Sequence, residues 1–177
     1  AVDPDGLVWT ATGLGQTICW YNPKTKEYWN SSVITPHGGE VYGICPYDGK
    51  IFFSTYSGGD HVVYDPREEW NQYDNINPKT LRSVGKRMIR PIGKSHLGPD
   101  NNVWTGWSAL YGVYGGGISR INTKTYEVDD WYDLIPQQSV GYLAAGKEYM
   151  YATTGGTTSG MRAREDEFYL LRLDMDC

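Results

Sequence analysis

The chain alternates short apolar stretches with polar turns, and this pattern occurs four times. In residues 50–55 the apolar side chains alternate between two faces, as in a β-strand: Ile51 and Phe53 share one face and Phe52 lies on the other. After a loop, a second apolar stretch leads into a turn rich in Asn, Asp, Pro and Thr. The four copies of the first stretch are residues 6–12, 49–55, 103–107 and 150–154, and those of the second are residues 19–25, 63–66, 120–125 and 171–174.

The spacing between the copies predicts the fold. Trp9 and Phe52 hold the same place in consecutive copies and lie 43 residues apart, and later copies follow at about 50 residues, the period of a four-stranded propeller blade. One blade cannot bury both of its faces, so this repetition predicts blades packed face to face around an axis. We therefore predict an all-β fold: a single-domain β-propeller segment of about three and a half to four blades, each a four-stranded antiparallel sheet. The predicted blades are residues 1–34, 40–75, 90–133 and 139–177, with a basic connector at residues 75–91.

Turn signals divide each repeat into strands. In the second repeat, the Asp-Gly pair at 48–49 and the Gly-rich residues 58–60 separate three apolar stretches. The fourth repeat lacks a fourth strand, and only residues 1–4 precede the first turn. The predicted strands are residues 41–46, 50–55, 61–64 and 69–73 in the second repeat, residues 92–97, 102–107, 117–121 and 126–132 in the third, and residues 140–145, 150–154 and a strand ending at Asp176 in the fourth.

The length of the chain limits how many blades it can supply. A ring of six to eight blades at this period needs roughly 270 to 380 residues, and the chain has 177. Unpaired strand edges at both ends would favour association. We therefore expect either a segment of a larger propeller, completed by further blades, or a half that closes as a homodimer.

Charge and cysteine content narrow the classes of partner. The net charge is −5, but residues 79–94 carry six basic and no acidic side chains, which leaves the rest of the chain strongly acidic. This distribution argues against a nucleic-acid binder, and no apolar run approaches the roughly 20 residues of a membrane-spanning helix. The three cysteines have no close spacing and predict neither a metal site nor a disulfide framework. Cys19 and Cys45 lie in predicted strands and are expected to pack as small apolar residues.

Two recurring features are predicted to be structural. An Asn or Asp residue falls at the same turn in each repeat, followed by Pro in the first two, and its side chain can accept hydrogen bonds from the backbone two residues on. The aligned aromatic position on the second strand is expected to form the core between blades. This position is occupied by Trp9, Phe52, Trp104 and Tyr151.

The basic connector and a neighbouring aromatic loop form the candidate binding site. Arg87 and Arg90 are suited to bidentate pairing with anions. Trp107, Tyr111 and Tyr114 could stack against sugar rings in the same funnel. The functional hypothesis is a groove for a carboxylated or sulfated polymer; the alternative is that the connector is simply a solvated linker.

The three histidines, His37, His61 and His96, are scattered over different elements and show no spacing typical of a metal site. His96 is the most interesting because it ends an inner strand, near the axis where ligands of propellers gather. The alternative is an ordinary hydrogen-bonded side chain. No metal site is predicted from the residues themselves.

Two phrases of the third repeat carry a family resemblance. Residues 98–104 (Gly-Pro-Asp-Asn-Asn-Val-Trp) and residues 118–125 (Ile-Ser-Arg-Ile-Asn-Thr-Lys-Thr) resemble the blade motif of the streptogramin lyase-like propellers, and more widely the gluconolactonase and senescence-marker-protein group. The resemblance extends over all four repeats. It implies a propeller fold and a bacterial, secreted or periplasmic protein.

The resemblance also implies where a lyase site would lie. In the lyase-type enzymes a His before a Gly on an inner strand and a Glu at the end of a second strand act with a divalent metal. Here Tyr42 precedes Gly43, so the His is missing. No Glu ends a second strand, and the lyase set is not reproduced. Those ends are Thr12, Thr55, Trp107 and Thr154.

Three functions remain open from the sequence. The first is a carbohydrate-related binding segment that takes an oligosaccharide or another small polar ligand once the ring is completed. The second is a lyase or hydrolase acting on a polysaccharide or small molecule, with His96, Arg90 and Tyr42 near the axis. Only this second function would call for a cofactor, a divalent metal held with residues outside the segment. The third is a scaffold for protein partners.

Overall fold

Four antiparallel sheets follow one another along the chain. The computed structural model describes residues 1–156 and 160–175, and no helix occurs in them. Neighbouring strands in each sheet are consecutive in the chain, as in an up-and-down meander. Blade 1 contains β1 (Val8–Ala11), β2 (Thr17–Tyr21) and β3 (Tyr28–Val33), and blade 2 contains β4 (Gly39–Tyr47), β5 (Lys50–Ser57), β6 (His61–Tyr64) and β7 (Lys79–Thr80). Blade 3 contains β8 (Met88–Leu97), β9 (Val103–Ala109), β10 (Gly116–Ile121) and β11 (Val128–Tyr132), and blade 4 contains β12 (Ser139–Ala145), β13 (Met150–Gly155) and β14 (Leu170–Leu173).

This architecture confirms the predicted all-β propeller fold. Consecutive blades pack against one another from blade 1 to blade 4, and the described residues form an open array. In the described part of the chain, blades 1 and 4 have three strands each rather than four. The predicted last strand of blade 4 corresponds to β14, which ends at Leu173; the expected end at Asp176 lies outside the described residues. The described residues include no helix that could span a membrane.

The predicted fourth strand of blade 2, near residues 69–73, is wrong. The edge strand is β7, which pairs with Val62 and Val63 of β6. The intervening segment is instead a compact loop around Asn77, whose side-chain amide donates to the carbonyls of Asp65 and Glu68 at 2.9 and 3.1 Å. Because this buried amide satisfies the loop backbone, the chain rejoins the sheet only afterwards.

The predicted connector at residues 75–91 is therefore not a solvated linker. It contains the edge strand β7, and the inner strand β8 starts at Met88, four residues before the predicted strand. Val84 and Met88 are buried, and the backbone N–H of Val84 donates to the carbonyl of Gly59 at 2.9 Å. The segment between these strands is part of the packed blade.

The core lies between the blades, as the aligned aromatic position predicts. Trp9, Phe52 and Trp104 are each 1% exposed. Trp104 stacks on Trp131 with ring centroids 5.7 Å apart. Tyr151, the fourth member, is only half-buried. The aligned position is thus core in three blades and a partly covered surface in blade 4.

Both cysteines within predicted strands have free thiols. Cys45 is buried as expected, and burial raises the pKa of its thiol to about 11. Cys19 is half-buried, so its prediction is met only in part.

The Asn and Asp turns are structural, as predicted. The Oδ1 atom of Asn122 accepts the backbone N–H groups of Lys124 and Thr125 at 2.9 and 3.0 Å, and Asn22 repeats this arrangement in blade 1. A second set of turns ties the backbone to the core, since Asp100 accepts the Trp104 indole N–H at 3.1 Å. These side chains are fully used in holding the blades.

Candidate functional site

One face of the array carries two of the three predicted catalytic residues, Arg90 and Tyr42. It is the face where the inner strands β4, β8 and β12 begin and where β5, β9 and β13 end, and we call it the upper face. Strand ends at a propeller rim leave side chains free of the inter-blade core, so this is where ligand contacts are expected.

Four residues meet on the upper face between blades 2 and 3, and we call them the arginine–tyrosine site: Tyr42, Tyr56, Arg90 and Tyr111. The guanidinium carbon of Arg90 lies 4.6 Å from the ring centroid of Tyr56 and 5.5 Å from that of Tyr111. Arg90 Nη2 donates to the Tyr111 hydroxyl at 2.6 Å. The ring of Tyr42 meets that of Tyr56 edge-on, with centroids 6.1 Å apart.

Strand ends, a β-bulge and a loop position these four side chains. Arg90 is the third residue of β8, and Tyr56 lies near the end of β5. Tyr42 is the extra residue of a β-bulge in β4, where the register with β5 shifts between Val41 and Gly43. Bulges commonly redirect a side chain at a functional rim. Tyr111 comes from the loop that follows β9.

A hydrogen bond links the hydroxyl groups of two of these tyrosines. The Tyr56 and Tyr111 oxygens are 2.8 Å apart, and either hydroxyl can donate. The Tyr111 oxygen also accepts from Arg90, which leaves it a second lone pair for Tyr56. Hydrogen bonds with Tyr111 and then with Arg90 lower the pKa of Tyr56 below its usual value. The hydrogen bond with Tyr56 raises the pKa of Tyr111.

Arg90 keeps unused capacity for an anion. It forms no ion pair with a carboxylate among the described residues. Its Nε–H is buried and has no hydrogen-bond partner in the described structure. An unpaired donor on a charged group is costly to keep buried. The positive charge of this guanidinium is thus not paired with a carboxylate of the described residues.

Arg87, by contrast, already has an acidic partner. Its Nη2 pairs with Asp130 at 3.1 Å, and Arg82 holds the other oxygen of the same carboxylate. The Arg87 guanidinium also lies 5.0 Å from the ring centroid of Tyr132. The expected anion-binding pair of Arg87 and Arg90 is therefore reduced to Arg90.

Trp107 cannot stack against a ligand in this structure, which corrects the sequence prediction. Its side chain is 0% exposed, and its indole N–H donates to Ser119 at 2.7 Å inside the core.

Tyr114 already contacts the loop that carries Arg162 and Arg164. Its hydroxyl donates to the Arg162 carbonyl at 2.9 Å, and the Arg164 guanidinium lies 4.1 Å from its ring centroid.

His96 does not join Arg90 and Tyr42. It lies opposite Trp104 near the far end of β8, whereas Arg90 lies opposite Ser108. Six residues of strand separate the two, roughly 15–20 Å at the rise of an extended chain. Burial, with Lys94 nearby, lowers the pKa of His96. Of the expected catalytic group, the structure brings together only Arg90 and Tyr42.

Sequence analysis missed Tyr56, the residue that connects the others. The predicted strand ended one residue before it, which left Tyr56 in a turn. The feature that would have indicated Tyr56 is the length of β5, which continues to Ser57. A strand of this length places its last side chains on the upper face.

Among the described residues no group of three or more His, Cys, Asp or Glu side chains could hold a metal ion. A cavity of about 510 Å³ opens on the opposite face, where Lys50, Glu68, Glu69, Lys79 and Tyr126 line it. It contains none of the predicted site residues.

The comparisons with known proteins identify the fold. A streptogramin B lyase structure is 16% identical over 99% of this chain and 68% of its own, with a TM-score of 0.50. The virginiamycin B lyase of Staphylococcus aureus is 14% identical over 100% of this chain and 69% of its own, with a TM-score of 0.48. No family model and no curated protein sequence matches. The chain therefore shares the propeller fold of streptogramin B lyase.

Proposed function

We propose that this chain is a ligand-binding propeller segment that takes a small carboxylate-bearing molecule at the arginine–tyrosine site. The observation that carries the proposal is the state of Arg90. Its guanidinium is charged, flanked by two tyrosine rings, and without an acidic partner among the described residues. Arg is the side chain best suited to bidentate recognition of a carboxylate.

The surrounding tyrosines define what else the ligand should carry. Tyr111 is 55% exposed and Tyr42 is 36% exposed, so their rings offer apolar area beside the cation. The Tyr56 and Tyr111 hydroxyls can donate to or accept from a ligand oxygen or hydroxyl. A sugar acid supplies a carboxylate, hydroxyl oxygens and an apolar ring face, so uronate oligosaccharides are the first class to test.

The binding experiment compares charged and neutral sugars of the same length. Isothermal titration calorimetry should detect an oligosaccharide of galacturonic acid but not the matching oligosaccharide of galactose. Arg90→Gln should weaken uronate binding by about 10- to 100-fold, because charge-assisted hydrogen bonds are worth about 1.5–3 kcal/mol.

Arg172→Gln is the matched control. The Arg172 guanidinium also lies over a tyrosine ring, 4.4 Å from the centroid of Tyr149, but in blade 4 away from the site. This variant should bind as the wild type does. Equal heats for the uronate and the neutral sugar, or an unchanged affinity in Arg90→Gln, would reject the proposal.

A lyase or hydrolase is the second candidate, but its support is narrower. The likeness to streptogramin B lyase concerns the fold. The catalytic group expected from the sequence requires His96 beside Arg90, and these lie at opposite ends of β8. Binding is therefore the function that the geometry favours.

A further inference from the structure

A histidine–aspartate pair occupies the upper face between blades 1 and 2, apart from the arginine–tyrosine site. His37 Nδ1 lies 2.7 Å from Asp60 Oδ2. The Asp60 side chain is 1% exposed, whereas that of His37 is 60% exposed. The same Asp60 oxygen accepts the hydroxyl of Thr35 at 2.8 Å. A buried carboxylate thus holds one edge of an imidazole whose other edge meets solvent.

The backbone that carries His37 is fixed on both sides. The carbonyl of Gly38, the next residue, accepts the side-chain amide of Gln16 at 3.1 Å and the backbone N–H of Ser57 at 3.3 Å. The carbonyl of Gly39 accepts the N–H of Gly15 at 2.8 Å. The loop is anchored to blade 1 and to β5, so the imidazole is presented in a defined place.

The chemistry of the pair fixes which nitrogen is available. Where the Asp60 carboxylate is the acceptor of this hydrogen bond, Nδ1 of His37 carries the proton. Nε2 is then the nitrogen with a free lone pair. The same arrangement orients the histidine of hydrolytic triads. The other two histidines differ, because His61 is enclosed by protein and His96 has no carboxylate partner among the described residues.

We propose that the His37–Asp60 pair is a general-base site that activates water against carboxylic esters. His37 Nε2 takes a proton from a water molecule as the water oxygen attacks the ester carbonyl carbon. The resulting tetrahedral oxyanion collapses and breaks the bond to the alcohol oxygen. The imidazolium returns its proton to that oxygen, and the products are a carboxylic acid and an alcohol. Asp60 is a positioning residue for His37 in this scheme.

The test uses the full chain and p-nitrophenyl acetate as the probe. The wild type should hydrolyse it faster than free imidazole at the same concentration near neutral pH. His37→Gln should lower the protein-dependent rate by about 100-fold, within the usual range for loss of a general base. Because the His37 side chain is largely exposed, this variant should fold normally, which circular dichroism checks.

His96→Gln is the matched control and should keep the wild-type rate. Asp60→Asn should lower the rate and also release the fixed tautomer, which a two-dimensional ¹H–¹⁵N spectrum of the imidazole detects. Should Asp60→Asn fail to fold, the His37→Gln comparison decides alone. A rate in His37→Gln within twofold of the wild type, or a wild-type rate no higher than that of free imidazole, would overturn the proposal and leave the pair a structural clasp.

This inference stands apart from the proposed ligand site. Uronate binding depends on Arg90, so His37→Gln should bind uronate as the wild type does. Loss of esterase activity with intact uronate binding, or the reverse, tells the two proposals apart.

Discussion

The environment of His61 shows how a single buried side chain makes stability depend on pH. Its Nδ1–H donates to the Arg82 carbonyl at 3.0 Å, and its Nε2 accepts the Ser119 hydroxyl at 2.7 Å. The Ser119 oxygen in turn accepts the indole N–H of Trp107. Both ring nitrogens are satisfied by the neutral form. Complete burial lowers the pKa of His61 from 6.5 to about 4.

We expect the free energy of unfolding to fall as the pH is lowered from 6.5 towards 4. In this window the unfolded chain binds a proton at His61 that the folded chain does not, so acid favours unfolding. The contribution is fully present above pH 6.5, and its total loss is roughly 3 kcal/mol. Urea titrations at half-unit steps of pH measure it.

Substitutions distinguish the contribution of His61 to the pH dependence of the unfolding free energy from that of the carboxylates, which also titrate in acid. His61→Gln should show a flatter dependence of unfolding free energy on pH between 6.5 and 4. His96→Gln, which changes a half-buried ring, should retain most of the wild-type slope. Identical slopes in the wild type and His61→Gln would contradict this account.

Which side chains reach the site is only partly predictable from sequence. Arg90 and Tyr42 are expected near the axis together with His96, and in the structure the strands that carry the first two, β8 and β4, begin on the same face. Trp107 was misplaced because both faces of a propeller blade are covered by neighbours. Alternation along β9 therefore cannot tell a core aromatic from an exposed one. The His37–Asp60 pair joins residues 23 apart in different loops, a contact that no local pattern shows.

At the scale of elements, short-range patterns predicted the strands that carry alternating apolar residues. Strand β6 was predicted to the residue. The two-residue strand β7 was missed because it has no apolar alternation and is specified by the loop that Asn77 closes. A strand specified by one side-chain amide, rather than by alternating apolar residues, leaves no hydrophobic period in the sequence.

Close packing between blades 3 and 4 depends on Gly106 of β9. A Cβ atom there would collide with the carbonyl oxygens of Val140 and Gly141 in β12. Gly106→Ala should therefore force the two blades apart and lower the free energy of unfolding by about 2 kcal/mol or more, as overpacked cores do. Chemical denaturation measures the change.

Gly13→Ala provides the control for this prediction. The nearest atom to a Cβ at Gly13 is a carboxylate oxygen of Glu40 at 3.8 Å, an ordinary contact distance. This variant should stay within about 0.5 kcal/mol of the wild type, the usual range for surface changes. Equal effects of the two substitutions would show that inter-blade contact does not limit stability.

At the scale of the whole molecule, the sequence repeat predicts the blades but does not predict how the ring closes. Blade packing follows from local periodicity, but closing a ring depends on how many blades meet. The open array leaves apolar side chains uncovered on its end blades. Tyr28 of blade 1 is 73% exposed, and Tyr142 and Leu170 of blade 4 are 71% and 72% exposed.

We expect these end blades to drive self-association. Light scattering over a concentration series should show the mass rise from 20.0 kDa towards that of a dimer. Leu170→Lys places a charge on the uncovered strand β14 and should shift the rise to higher concentration without changing the fold. A mass that stays at 20.0 kDa throughout the series would refute the homodimer.

The double ion pair at Asp130 has a consequence for how the molecule opens. Arg82 and Arg87 lie between β7 and β8, while Asp130 lies on the outer strand of blade 3. The segment is further anchored by buried Val84 and Met88. A basic stretch is an obvious target for a trypsin-like protease, yet cleavage here first requires freeing these anchors. We therefore expect blades 2 and 3 to open as one cooperative unit, with local unfolding beginning at the outer blades.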